Sequence, residues 1–280
     1  MTAPRIDAHL HLWDLDEGAY SWLGPQHGHI FRSFTALEAE ALMGQYGIDS
    51  AILVQAEDSQ QDTEAMLRTA RTETWVRGVV AWVPLDDDLA AEAEIERLSS
   101  EPVVCGLRHL VHDDPREGFL ELPVVRRSLR RAAAAGLAFD VPDAWPRHLQ
   151  QTVDLARAVP ELTVVLDHLG KPPLEAGKEN FRPWRDSMRA LAALPNTAAK
   201  VSGLRLPGVP YTKEAIRPAW EEALNTFGPQ RLMLGSDWPV SLMGGPYSES
   251  LQVLDDLVDE LSPNEQQWLR SRSAESAYKL

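Results

Sequence analysis

Eight short apolar runs recur along the chain: Ile6 to Leu12, Ser50 to Gln55, Val76 to Val83, Val103 to Val111, Leu137 to Val141, Leu162 to His168, Thr197 to Leu204 and Arg231 to Trp238. Most are separated by stretches of helical composition, namely Asp62 to Thr72, Leu89 to Leu98, Val124 to Ala135, Pro146 to Ala158 and Phe181 to Leu194. These runs read as candidate strands, and strict alternation of strand and helix implies a parallel sheet. Eight such units predict an α/β fold, a single (β/α)8 TIM barrel. A doubly wound sheet is the structural alternative, but no G-x-G-x-x-G follows the first run.

Two stretches break the spacing. Trp13 to Ser33 is rich in Gly, Pro, His and aromatic residues and follows the first strand, so it is expected at the catalytic face as a lid or wall. Ser262-Pro263-Asn264-Glu265 reads as a capping box with proline at the first helical position, opening an extra C-terminal helix toward Tyr278. No linker or low-complexity segment divides the chain, and residues 1–280 read as one domain.

Three strand ends carry the candidate chemistry. Asp7-Ala8-His9-Leu10-His11 closes the first strand. Period-two alternation points His9 and His11 the same way, into the barrel. Leu166-Asp167-His168-Leu169-Gly170-Lys171-Pro172 closes the sixth. Val164, Leu166 and His168 share one face there, and if the valine and leucine fill the barrel, His168 stands at its mouth. Leu234-Gly235-Ser236-Asp237-Trp238-Pro239 closes the eighth, where Met233, Gly235 and Asp237 share a face. The eighth strand neighbours the first in a closed barrel, so Asp237 is expected beside His9 and His11. A carboxylate among imidazoles is a metal site, a general base, or both.

Weaker candidates surround these. Gln55, ending strand two, fits a hydrogen-bond partner for substrate or an ordinary polar strand end. Arg108 inside an apolar strand suggests a site role, because an unpaired buried arginine is costly. His109 should face the opposite way. Lys200, on one face with Ser202, suits a substrate contact or an internal salt bridge. His27, His29, His112 and His148 read as surface or loop residues.

Composition narrows the partners. The formal net charge of −15 argues against nucleic acid and an anionic membrane surface, both of which need a basic footprint. A single cysteine, Cys105, forms no internal disulfide and reads as core packing in a reducing compartment. No apolar run approaches the roughly 18 residues of a membrane span, and the start lacks a signal-peptide h-region. A soluble, cytoplasmic protein is expected, with no membrane partner and room for a homo-oligomer. Among the nine tryptophans, Trp13, Trp22, Trp82 and Trp238 fall at or just beyond strand ends. Aromatic faces stack on sugar C–H groups; Trp13 and Trp238 are expected to wall the pocket, and Trp82 to pack between barrel and helices.

These motifs resemble the amidohydrolase superfamily. More narrowly, D-A-H-L-H-L-W-D, S-W-L, V-Q-A, G-L-R-H-L, L-D-H-L-G-K-P and G-S-D-W-P-V resemble its lactonase branch, which includes fuconolactonases, rhamnonolactonases and pyrone dicarboxylate lactonases. The resemblance runs from Ile6 to Tyr278. It implies metal and base roles for His9, His11, His168 and Asp237. The binuclear branch adds a bridging lysine on strand four and a histidine on strand five. Here those strands carry Arg108-His109 and Ala138-Phe139-Asp140. At most one divalent metal, zinc foremost, is therefore expected, and it is dispensable in some relatives.

The implied reaction is hydrolysis of a small sugar lactone. Asp237 takes a proton from water, the hydroxide attacks the carbonyl, and His9, His11, a metal or Arg108 stabilises the oxyanion. His168 or the recycled Asp237 protonates the departing ring oxygen. Alternatives are an anionic dicarboxylate lactone, held by Arg108 with Arg116 or Arg205; a decarboxylase or hydratase of the same superfamily; and an inactive barrel kept as a binding protein.

Overall fold

The computed structural model describes residues 4–175 and 177–280, with residues 177–180 in backbone only. Each apolar run forms a strand: β1 (Ile6–Leu10), β2 (Ser50–Val54), β3 (Val76–Ala81), β4 (Val104–Arg108), β5 (Ala138–Val141), β6 (Val164–Leu166), β7 (Thr197–Val201) and β8 (Leu232–Leu234). They lie in one parallel sheet in chain order. Leu10 bridges Trp238 in parallel, which brings the first strand to the last and closes the barrel.

Helices follow the strands: α1 (Ala36–Gln45), α2 (Gln60–Thr72), α3 (Asp88–Ser99), α4 (Pro123–Ala134), α5 (Leu149–Ala158), α6 (Gly177–Ala192), α7 (Lys213–Phe227) and α8 (Tyr247–Val258). Several begin where a short polar side chain accepts an otherwise orphaned backbone N–H. Thr35, Ser59, Asp87 and Thr212 do so for α1, α2, α3 and α7. Helix α5 starts at Leu149 rather than Pro146. The Ser262 capping box opens α9 (Pro263–Gln267), which continues through a π-helical turn (Trp268–Arg272) into α10 (Ser273–Tyr278).

The strands are buried on both faces, which explains their lack of polar alternation. Ile6, Ala8, Ile52, Val54, Val80, Ala138, Val165, Ala198 and Met233 pack inside the barrel together with Ala274 and Tyr278 of α10. Their alternates, among them Leu10, Leu53, Leu107, Phe139, Val164, Leu166 and Leu232, join the layer beneath the helices. Cys105 is buried in the inner cluster. Among the described residues, no helix is long and apolar enough to cross a membrane.

Candidate active site

Strand β1 slips register between Asp7 and Leu10. Ala8 packs inside the barrel, and after the slip His9 and His11 also face inward while Leu10 joins the outer layer. Asp7 pins the irregularity: its Oδ1 accepts the N–H groups of His9 at 3.1 Å and Ser236 at 2.8 Å. Burial raises the Asp7 carboxyl to about 6.

On β6 the expected side-chain parity is reversed. Val164 and Leu166 pack under the helices, Val165 fills the barrel, and Asp167 is the inward carboxylate. Extended backbone ends at Leu166; His168 and Leu169 then take φ of 56° and 51°. This left-handed turn, uncommon away from glycine, carries His168 to the mouth despite its odd register. Asp237 likewise stands beyond the end of β8, at φ 56°. Its N–H donates to the His9 carbonyl at 2.8 Å, and the N–H of His11 donates to the Trp238 carbonyl at 2.8 Å.

The four side chains converge. His9 Nε2 lies 3.0 Å from His11 Nε2, and Asp237 Oδ1 lies 3.7, 3.4 and 3.8 Å from the Nε2 atoms of His9, His11 and His168. Donor atoms of His9, His168 and Asp237 all fall within 4.8 Å of one another. Tetrahedral zinc with bonds of about 2.0–2.1 Å sets ligand edges of roughly 3.4 Å, so the buried donors of His9, His168 and Asp237, with His11 beside His9 and Asp237, are spaced near what one ion needs. His11 Nδ1 sits 2.7 Å from the Val54 carbonyl oxygen, an acceptor only, which leaves the lone pair on Nε2 facing the cluster. His168 is oriented by Ser202 Oγ, 2.9 Å from its Nδ1.

Burial pushes the three imidazoles below the ordinary histidine value, His9 and His168 furthest, so they stand as neutral bases. Asp237 moves the other way. Burial would raise its pKa, but His168, His11 and Lys171 together draw it down to about 2, keeping the carboxylate ionised. Gly203, at φ 55°, makes this packing feasible: a Cβ there would lie 2.7 Å from Asp237 Oδ2 and overlap the His168 ring.

Beneath the cluster runs a buried ionic layer. Lys200 Nζ lies 2.6 Å from Asp140 Oδ2 and 3.1 Å from Asp167 Oδ1. Tyr278 from α10 donates to Asp140 at 2.7 Å. Arg108 bonds Asp167 at 3.2 Å, approaches His9 Nε2 at 3.4 Å and donates to the Gln55 carbonyl. Lys200 thus makes the internal salt bridge, one of its two expected roles, and Arg108 is paired rather than lone.

A cavity of about 250 Å³ opens above the cluster, and His11, Arg108, His168 and Asp237 line it. Its walls include Trp22, His27, His112, Asp113, Asp143 and Lys171. Trp13, Gln55 and Trp238 are not among its lining residues. Trp13 and Trp238 are buried behind it around Phe34, with ring centroids 5.3 and 5.1 Å from that ring. Gln55 spends its amide on Asp58 at 2.8 Å. Trp22 serves instead, anchored by its indole N–H to the Ala56 carbonyl at 2.7 Å, so the stretch after β1 does form a wall. His27 and His112, expected as surface or loop residues, do lie on the loops after β1 and β4, and from there both line the cavity. His109 faces outward between Asp58 and Asp114, stacked on Phe119. Period-two counting from Val165 would have found Asp167; the wall residues lie on loops, where no periodicity exists.

Comparison with known proteins bears on this geometry. The amidohydrolase family model matches residues 6–280. The chain belongs to the amidohydrolase family. It is 33% identical over 246 residues to an L-fucono-1,5-lactonase of Burkholderia ambifaria, covering 88% of this chain and 83% of that one. It is 30% identical to an L-fucono-1,5-lactonase of Burkholderia multivorans, covering 100% and 97%. A crystal structure of an amidohydrolase from Burkholderia multivorans with bound zinc superposes with a TM-score of 0.88 at 29% identity, over 99% of this chain and 100% of that one. The fold, the resemblance seen in the sequence and the enzyme class therefore agree.

Proposed function

We propose that this amidohydrolase opens the ring of a small, neutral, sugar-derived lactone by adding water to its carbonyl. The observation that carries the reading is the ionised Asp237 among three neutral imidazoles at the floor of a polar cavity, in a chain similar over nearly its whole length to two L-fucono-1,5-lactonases. An L-rhamnono-gamma-lactonase of Scheffersomyces stipitis, 26% identical over 60% of this chain, points the same way.

In this mechanism Asp237 removes a proton from water as the new C–O bond forms. Arg108, at the cavity edge, has its fork engaged by Asp167 and Gln55, so it offers the developing oxyanion a fixed positive charge rather than a free bidentate donor pair. As the tetrahedral species collapses, the ring C–O bond breaks, and the departing alkoxide takes a proton from Asp237 or through His168. His9, His11, His168 and Asp237, or a subset, would hold one divalent cation, zinc foremost, which when bound polarises the carbonyl. The zinc-bound relative supports that assignment.

The cavity walls favour a neutral substrate over a dicarboxylate. Arg108 is committed to Asp167 and Gln55. Arg116 pairs with Asp114 and Asp86, Arg205 pairs with Glu249, and neither lines the cavity. Three carboxylates, Asp113, Asp143 and Asp237, do line it. The test is turnover of a lactone panel followed with a pH indicator. L-Fucono-1,5-lactone and L-rhamnono-γ-lactone should be opened, and 2-pyrone-4,6-dicarboxylate should react at least about a hundredfold more slowly, the discrimination typical when charged groups lack partners. A reversed preference would overturn the neutral reading.

A further inference from the structure

Two residues on the cavity wall stand in backbone conformations that side chains other than glycine rarely adopt. Asp143, in the loop after β5, has φ 44°, and Lys171, in the turn after β6, has φ 58°. Such angles are held against a conformational cost, and they cluster where a side chain must be aimed. The two loops are tied together, because the N–H of Trp145 donates to the Gly170 carbonyl at 2.8 Å. With that tie in place, Lys171 Nζ comes to 3.8 Å from Asp143 Oδ1.

The pair is close without being satisfied. A separation of 3.8 Å is beyond hydrogen-bond reach. Among the described residues, Asp143 Oδ1 is a buried atom with no hydrogen-bond partner. Lys171 Nζ donates to the Gly203 carbonyl at 2.8 Å, which leaves two of the three ammonium N–H groups for other acceptors. The same bond fixes where the ammonium sits, because Gly203 packs on His168 and Asp237. A free donor beside an unpartnered acceptor makes a particular chemical demand. A carboxylate on the ligand would suit Lys171 but meet the charge of Asp143. An unsubstituted ring would leave both groups unpaired, which is costly. An alcohol answers both, since its oxygen accepts and its O–H donates.

We propose that Lys171 and Asp143 form a hydroxyl clamp: Lys171 Nζ donates to a ring hydroxyl of the substrate, and that hydroxyl or its neighbour donates to Asp143 Oδ1, so that the pair selects polyhydroxylated lactones over unsubstituted rings. The inference rests on the lactone reading above and names the groups of this chain that read the sugar. Asp237 and the histidines act on the carbonyl, whereas the clamp holds the ring from the β5 and β6 side of the cavity.

The test compares two lactones on wild type, Lys171→Met and Asp143→Gly. Methionine keeps the length of the lysine stem, and glycine adopts a positive φ without strain while removing the carboxylate. The readout is kcat/KM for L-fucono-1,5-lactone divided by kcat/KM for δ-valerolactone, which carries no hydroxyl. General damage to the site lowers both and cancels in the ratio. The ratio should fall at least about tenfold in each variant, as expected when a hydrogen bond to a charged group is lost. A smaller fall in either variant overturns the clamp. If wild type opens neither lactone, the lactone reading fails, and calorimetric binding of 1,5-anhydro-L-fucitol, a sugar ring without the carbonyl, decides the clamp separately. Binding at least about tenfold weaker in both variants upholds it; a smaller loss, or no binding to wild type, overturns it. The same calorimetry decides if δ-valerolactone is opened too slowly to give a ratio. Should Lys171→Met fail to fold, Asp143→Gly decides alone.

Discussion

The backbone N–H of Asp237 donates to the carbonyl of His9 at 2.8 Å. Together with the bond from His11 N–H to the Trp238 carbonyl, also 2.8 Å, it joins the last strand to the first and sets the general-base candidate against the histidine pair. The contacts that close the barrel are therefore the same ones that hold Asp237 beside the histidines.

The same packing predicts intolerance at Gly203. Its positive φ and the proximity of Asp237 and His168 leave no space for a methyl group. Gly203→Ala should destabilise the fold by about 1–3 kcal/mol, the usual cost of forcing a strained backbone, and should lower kcat. Thermal melting and steady-state kinetics check this; a variant as stable and active as wild type would show that the loop is not tightly packed on the site.

The pH dependence has a defined sign. Asp237 is depressed from 3.8 to about 2, so its folded-state stabilisation is present above pH 4 and is lost as pH falls toward 2. The imidazoles lie below their ordinary 6.5. Any acid limb of kcat/KM should therefore lie below the midpoint near 6.5 that an ordinary histidine would give. An acid limb centred near that value would mean that a normally titrating histidine governs the rate.

Metal stoichiometry is a separate test. Strand β5 supplies Asp140 rather than histidine, and Asp140 is already engaged by Lys200 and Tyr278. Elemental analysis of protein purified without chelator should give at most one zinc per chain. Two ions at full occupancy would require donors beyond the His9, His11, His168 and Asp237 set.

The C-terminal helix should contribute stability through a polar contact inside the barrel. Tyr278→Phe removes a donor to Asp140, whose carboxyl burial already raises to about 6. Leaving that carboxylate with Lys200 alone should cost about 1–3 kcal/mol, read by urea unfolding. An unchanged midpoint would show that the hydroxyl is not a required partner.

Much of this architecture was legible in the sequence, because strand burial and strand–helix alternation are local properties of composition. The gathering of His9, His11, His168 and Asp237 also followed from strand ends. What parity counting missed was backbone departure from the extended form. His168 reaches the mouth through a left-handed turn, and the true inward position on β6 is Asp167. Tryptophan placement failed for a different reason: Trp13 and Trp22 both follow β1, and only the path of the loop decides that Trp22 meets the cavity while Trp13 packs on Phe34. Lys200 could not be assigned from β7 alone, since its partners lie on β5 and β6.

The measurement that bears most directly on the account is the turnover of L-fucono-1,5-lactone by Asp237→Asn. The substitution keeps the shape and removes the basicity. General-base catalysis is commonly worth about 10²–10⁴-fold, so kcat should fall at least about a hundredfold while the circular dichroism spectrum and melting cooperativity persist. A folded variant that keeps more than about a tenth of the wild-type rate would contradict Asp237 as the base and move that role to another proton acceptor such as His168.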